Sequence, residues 1–268
     1  MGRFQAVRMS LMLLFFALPL LGQEPSTNSQ PLQRVPPPSE TATAHELEEQ
    51  GDDLRGKKAY LDSVDYYRAA WKKQNNAVLH NKAGISLFQM HRDRDAKKEY
   101  EQAIKMDKEY AEPHNNLGAL LYNSHHYGPA VKEYLKAIKL VDSNATFHSN
   151  LGAAYFSEND VPHAMKEYGR ALELDPTIFE RQSSGGVTVK LVTNTERAHL
   201  HYLMAQLYAS RGDMEHCRYY LSKANEEGYP GIRDALRDDQ FATLRKDPDF
   251  LTFVRSLKPP PPAAPANE

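Results

Sequence analysis

The chain has 268 residues, with 33 Lys and Arg against 35 Asp and Glu, for a formal charge of −2. That balance gives no electrostatic drive toward nucleic acid or an anionic membrane, so no nucleic-acid partner is expected. The sole cysteine, Cys217, excludes an intramolecular disulfide framework, and stability has to come from packing.

Residues 1–22 read as a secretory signal peptide: Arg3 and Arg8 precede an apolar run from Leu11 to Leu21, and Gly22 offers a small residue for cleavage. The run is too short to cross a bilayer, which takes about 20 apolar residues. No integral membrane span is therefore expected after its removal. Leu20 is large where a cleavage site takes a small side chain, which leaves two outcomes, a cut elsewhere or retention as an N-terminal anchor. Both point to a periplasmic or secreted protein. Residues 23–43 are rich in Pro, Ser, Thr and Gln and poor in large apolar residues, so they read as a disordered linker. A proline-rich tail, 258–268, is expected to be disordered as well.

Through 44–178 runs a period of about 34 residues. Gly84, Gly118 and Gly152 are 34 apart, and Gly51 precedes them by 33; Tyr67, Tyr100, Tyr134 and Tyr168 recur with them, as do Ala70, Ala103, Ala137 and Ala171. Each period reads as two helices. Leu151, Gly152 and Tyr155 share a face of a first helix, and Ala164, Tyr168, Ala171 and Leu172 form a stripe on a second. Asp160 can cap the second helix, with Pro162 in its first turn. Small residues permit close helix approach, and the tyrosine fills the space left. A lone helix pair cannot bury both faces, so the units must stack.

On Leu151-Gly152-x-x-Tyr155, Ala164-x-x-x-Tyr168-x-x-Ala171 and Leu174-Asp175-Pro176 the chain resembles the tetratricopeptide repeat family, in order and in spacing. The unit at 111–144 keeps Leu117, Gly118, Ala130, Tyr134 and Ala137, and the unit at 77–110 keeps Gly84, Ala96, Tyr100 and Ala103. The first unit, 44–76, is one residue short and has Ser63 at an alanine position. A fifth, 198–229, has Tyr208, Gly212-Asp213 and Ala224, with Ala205 replacing the glycine and Cys217 at an alanine position. The resemblance implies an all-α fold, a right-handed helical-repeat solenoid of about five helix-turn-helix units. Residues 179–197 interrupt it. There Gly185 to Val192 has the β-branched alternation of a strand, and Thr193 with Glu196 makes a capping box. A plain loop and a strand that closes the groove or pairs with a partner both remain open. In 230–257, Phe241-x-x-Leu244 and Asp247-Pro248-x-Phe250-x-x-Phe253-Val254 predict two short helices, a C-terminal helical cap.

His80, His114 and His148 hold one position in successive units. Packed helix axes lie about 8 to 10 Å apart, whereas zinc holds its ligands at about 2.0 to 2.1 Å. The three cannot share an ion, and packing roles are expected. His91, His125 and His126 fall in turns and read as solvated; Cys217 reads as a buried, inert side chain. No phosphate loop, His-Glu-x-x-His, Cys-x-x-Cys or nucleophile elbow occurs. No catalytic residue, metal site or cofactor is predicted, and the chain does not read as an enzyme.

The resemblance further implies that first helices line a concave surface, where asparagines two residues before the glycine hydrogen-bond an extended peptide. That position holds Lys82, Asn116 and Asn150, with Asn81, Asn115 and Ser149 just before. An amide both donates and accepts, so a row of them can hold a backbone whatever its side chains. Phe88, Tyr122 and Phe156, four residues after each glycine, would add apolar contacts if they face the groove. The competing reading packs these aromatics between helices and uses the asparagines to brace the superhelix. Only Lys82 is placed to clamp a terminal carboxylate, so that mode is not expected. The function expected is an exported scaffold that binds a protein or extended peptide in its concave groove. The alternative is a histidine-dependent metal or cofactor carrier of the cell envelope.

Overall fold

Each period folds into two helices because turn residues and caps break the chain at fixed intervals. The computed structural model describes residues 34–179 and 194–258. The signal peptide, the start of the linker, the strand-like segment with Thr193, and nearly all of the proline-rich tail lie outside the described residues. The helices pair as α1 (Ala44–Gly56) with α2 (Tyr60–Lys73), α3 (Ala77–Gln89) with α4 (Asp93–Met106), and α5 (Ala111–Asn123) with α6 (Tyr127–Leu140). Two further pairs are α7 (Ala145–Ser157) with α8 (Val161–Leu174), and α9 (Asn194–Ser210) with α10 (Met214–Glu226). Among the described residues there is no strand. The residue missing from the first unit falls in the loop between α2 and α3, so the helices themselves keep their register.

Between the helices of each pair one residue takes the left-handed conformation: Lys58, His91, His125, Asn159 and Gly212, at φ between 57° and 75°. This is where the turn histidines go. Side chains other than glycine are uncommon there, but the tight reversal needs that backbone state in every unit. The second helices start on carboxylate caps in two units, with Asp160 Oδ1 accepting from the His163 amide and Asp213 Oδ1 from the His216 amide. Thr43, read from the sequence as the end of the linker, instead closes a capping box on α1. Its Oγ1 accepts from the Glu46 amide at 3.2 Å, while Glu46 Oε2 accepts from the Thr43 amide at 2.7 Å. The preceding backbone is tied down where the Glu40 carbonyl accepts from Lys73 Nζ at 2.7 Å.

The core is built on one repeated contact. A Cβ added at Gly51, Gly84, Gly118 or Gly152 would come within 2.6 to 2.7 Å of the ring of Tyr67, Tyr100, Tyr134 or Tyr168 respectively. These rings are buried, so each tyrosine occupies the volume that the absent glycine side chain leaves. In the fifth pair both partners change together: Ala205 and Leu221 stand in the two places, each fully buried.

α3, α5 and α7 touch one another directly, whereas no consecutive second helices are packed as closely. The first helices therefore form the inner layer. Beyond α10, three 3-10 turns at Ile232–Leu236, Asp239–Phe241 and Leu244–Lys246 replace the first of the two helices predicted for the cap. The second is present as α11 (Pro248–Ser256), with Asp247 accepting from the Asp249 amide and Pro248 in the first turn. Phe241, Phe250 and Val254 are fully buried and belong to the same core as α9 and α10.

Candidate ligand-binding face

The asparagines meet each other along the inner layer. Asn116 Nδ2 donates to Asn81 Oδ1 at 2.8 Å, and Asn150 Nδ2 donates to Asn115 Oδ1 at 2.9 Å. Asn115 Nδ2 reaches Asn116 Oδ1 at 3.4 Å, and Asn81 Nδ2 donates to the Tyr110 hydroxyl at 3.0 Å. The result is one amide row joining α3, α5 and α7. Asn81, Asn115 and Asn150 are buried, whereas Asn116 and Ser149 are partly exposed. A primary amide carries two N–H donors, so Asn116, having given one to Asn81, has a second to offer from the row.

The other residues of the sequence-predicted groove are engaged inside the array. Phe88, Tyr122 and Phe156 are only 8%, 3% and 8% exposed and belong to the core clusters. They follow the reading that packs them between helices. Tyr122 stays polar at one end through a 2.7 Å hydrogen bond with Ser157, and burial pushes its phenol up to about 12. Lys82 Nζ sits 2.5 Å from Glu48 Oε1 and 2.6 Å from Asp52 Oδ2 of α1, so its charge is already matched. Burial would raise the Asp52 carboxyl, but hydrogen bonds from Lys82 and from Tyr67 outweigh it and hold the group below its usual range.

The histidines form a second ladder, whose partners the sequence reading missed. Nδ1 of His80, His114 and His148 lies 2.6, 2.8 and 2.6 Å from a carboxylate oxygen of Glu99, Glu133 and Glu167. Each glutamate immediately precedes the core tyrosine of the same unit, so a further 34-residue period, beside those of glycine, tyrosine, alanine and histidine, was visible to find them. For Glu133 burial acts upward, but hydrogen bonds from His114 and Lys136 outweigh it and hold the carboxyl below its usual range. The fifth unit keeps the histidine as His201, but Tyr220 stands at the glutamate position and the nearby carboxylate is that of Glu227, just past the end of α10, with Oε2 at 2.8 Å. In the first unit Leu47 and Tyr66, both buried, occupy the equivalent places. Among the described residues no group of three or more His, Cys, Asp or Glu is placed to hold a metal ion. Cys217 is fully buried, and burial raises its thiol to about 12.

Residues 127–158 match the family profile described as TPR repeat, and residues 145–178 match that described as tetratricopeptide repeat. No curated protein matches the sequence. Among solved structures the chain is similar to MamA, with 20% identity over 66% of this chain and 93% of that one and a TM-score of 0.47. A second is YrrB, described as a TPR protein with an unusual peptide-binding site, at 17% identity over 69% and 86% and a TM-score of 0.46. A third is the APC/C hetero-tetramer Cut9–Hcn1, at 14% identity, where 76% of this chain covers 35% of that one with a TM-score of 0.50. Residues 127–178 thus carry tetratricopeptide repeats, within an array of helix pairs. No described helix is long and apolar enough to cross a membrane.

Proposed function

We propose that the chain is an exported interaction scaffold that holds an extended peptide, or an extended segment of a protein, along its first helices. The observation that carries this reading is the amide row from Asn81 to Asn150, with Asn116 and Ser149 partly exposed on it. Within the row the buried amides fix the exposed ones, so little side-chain freedom is lost when a ligand binds. Asn115 and Asn150 act by support, Lys82 follows Asn81 with its charge already matched, and Phe88, Tyr122 and Phe156 are held in the core rather than offered to a ligand. The reading is of binding rather than catalysis, in keeping with a thiol that is buried and protonated. Export rests on the N-terminal apolar run and is tested by fractionating cells that express the full chain; recovery only in the cytoplasm refutes it.

For the groove, peptides are selected from a random library on the wild-type protein, and their affinity is measured by fluorescence anisotropy for wild type and Asn116→Ala. We expect at least a ten-fold loss, measured at a temperature where both proteins are fully folded, because the substitution also strands the buried Asn81 carbonyl oxygen at a cost of about 1 to 3 kcal/mol. Equal affinity for the two proteins would sink the assignment of the face.

A further inference from the structure

An amide holds a backbone without reading its side chains, so the amide row leaves specificity to its neighbours. A second row stands beside it. Val78, Glu112 and Thr146 are 34 residues apart, each the second residue of α3, α5 or α7, and each four before Lys82, Asn116 or Asn150. Residues four apart on a helix share a face, so this row borders the amides. Val78 is 39% exposed, Glu112 is exposed and Thr146 is partly exposed. One unit thus offers an aliphatic surface, the next a carboxylate and the third a hydroxyl.

Glu112 is the charge left over on this face. Glu48 and Asp52 share Lys82, and Arg55 reaches Asp52 at 3.3 Å, so two carboxylates meet two cations. Among the described residues no cation is bridged to Glu112. Its field reaches the row at Tyr110, the hydroxyl that accepts from Asn81. Burial raises that phenol most, and the carboxylates of Glu112, Glu48 and Asp107 raise it further, against the hydrogen bond from Asn81. The row therefore begins in a negative field, which attracts a cation.

The spacing of Val78 and Glu112 selects the backbone that can use both. Neighbouring packed helices lie about 8 to 10 Å apart. In a β-strand, side chains return to one face every two residues, about 6.6 Å. In polyproline II they return every three, about 9.3 Å, and the backbone makes no internal hydrogen bonds. The polyproline II repeat matches the step from α3 to α5, and its carbonyls are free to accept the spare N–H of Asn116. We infer, resting on the peptide-binding reading above, that the face takes a polyproline II segment carrying an aliphatic side chain and, three residues away, a lysine or arginine, selected by Val78 and Glu112 respectively.

The probe is a random peptide library displayed on phage and selected in parallel on the full-chain wild type and on Glu112→Lys. Wild-type binders should carry Lys or Arg three residues from Val, Leu or Ile, and Glu112→Lys binders should carry Asp or Glu there. In anisotropy titrations at low salt, replacing that basic residue of the best wild-type peptide by Glu should weaken binding to the wild type about five- to ten-fold, as an exposed attraction becomes a repulsion. On Glu112→Gln the two peptides should bind alike. This variant removes only the charge of an exposed side chain, so it reads the preference even where Glu112→Lys does not fold. The same basic residue enriched on both proteins, or a spacing of two, overturns the inference. Asn116→Ala separates it from the reading beneath it, since that variant should weaken both peptides equally. If it does so while the charge preference ignores residue 112, this inference alone falls. If Asn116→Ala leaves both affinities unchanged, or neither protein enriches any peptide, the face is wrongly assigned and the inference falls with it.

Discussion

Adding a single methyl group at residue 118 tests the packing argument most directly. The Cβ of Gly118→Ala would lie 2.7 Å from Tyr134 Cε1, 2.8 Å from Cδ1 and 3.1 Å from Cζ. Non-bonded carbons settle at about 3.5 to 4.0 Å, so the nearest overlap is roughly 0.8 Å. Tyr134 is fully buried and cannot swing into solvent. Overpacking of this kind costs about 1 to 3 kcal/mol. Against it stands the helical preference of alanine over glycine, about 0.8 to 1.0 kcal/mol. Gly118→Ala should therefore cost up to about 2 kcal/mol in the wild type. In a Tyr134→Leu background the ring is gone, and the same change should stabilise by up to about 1 kcal/mol. The coupling between the two sites is then about 1 to 3 kcal/mol, whatever Tyr134→Leu itself costs. The fifth unit already carries this combination as Ala205 and Leu221. Urea titrations of the four proteins measure the coupling, and hydrogen exchange of the α5 and α6 amides shows whether the loss is local. If Gly118→Ala moves the midpoint equally in both backgrounds, the glycine is not there to admit the tyrosine.

Two further substitutions probe polar contacts. Ser63 and Ser86 are fully buried and share a 2.8 Å hydrogen bond, so Ser63→Ala strands the Ser86 hydroxyl and should cost about 1 to 3 kcal/mol in thermal melts. The Ser63→Ala/Ser86→Ala double variant should recover most of that, and a double variant less stable than the single would show that the bond does not matter. Lys82→Met removes the cation that holds down the Asp52 carboxyl. A depressed carboxyl contributes stability above its ordinary value of about 3.9, and that contribution is lost as pH falls through the lower folded value. The wild type should therefore lose more stability than Lys82→Met on acidification from pH 5 to pH 2, and parallel acid profiles would refute the role given to Lys82.

The glycine–tyrosine contact was legible because both halves of it recur in the sequence at one period, and a steric contact between small and large residues needs little more than register. The caps at Asp160 and Asp247 were legible from local spacing. The capping box at Thr43 and Glu46 has the same local signature, but it sits at a boundary where linker composition dominates. Hydrogen-bonded partners were harder. His148 and Glu167 are 19 residues apart on two helices, and their pairing depends on side-chain direction, which periodicity alone does not give. The asparagine positions were correctly placed on the first helices. What periodicity could not resolve is that adjacent positions on a helix diverge by about 100°, so Asn115 and Asn116 serve opposite neighbours, α7 and α3. Lys82 was read as the one cation placed to clamp a terminal carboxylate, and its partners Glu48 and Asp52 were not legible because they lie 34 and 30 residues away.

Across the array the contacts repeat more faithfully than the residues. Glycine with tyrosine becomes alanine with leucine in the fifth unit, and histidine with glutamate becomes leucine with tyrosine in the first. Where Ser63 replaces alanine, Ser86 of the next unit supplies its hydrogen bond. Replacement in pairs is what close packing demands, since a change on one side leaves either a cavity or a clash. The same logic bounds the amide row. At one end the Lys82–Glu48–Asp52 cluster closes it, and at the other the rings of Tyr202 and Tyr229, stacked at 4.4 Å, belong to the capped core. Between those limits the row spans three first helices, about 16 to 20 Å at the usual axial spacing. An extended chain advances about 3.3 Å per residue, so a ligand held along the proposed face would engage it through roughly five or six residues.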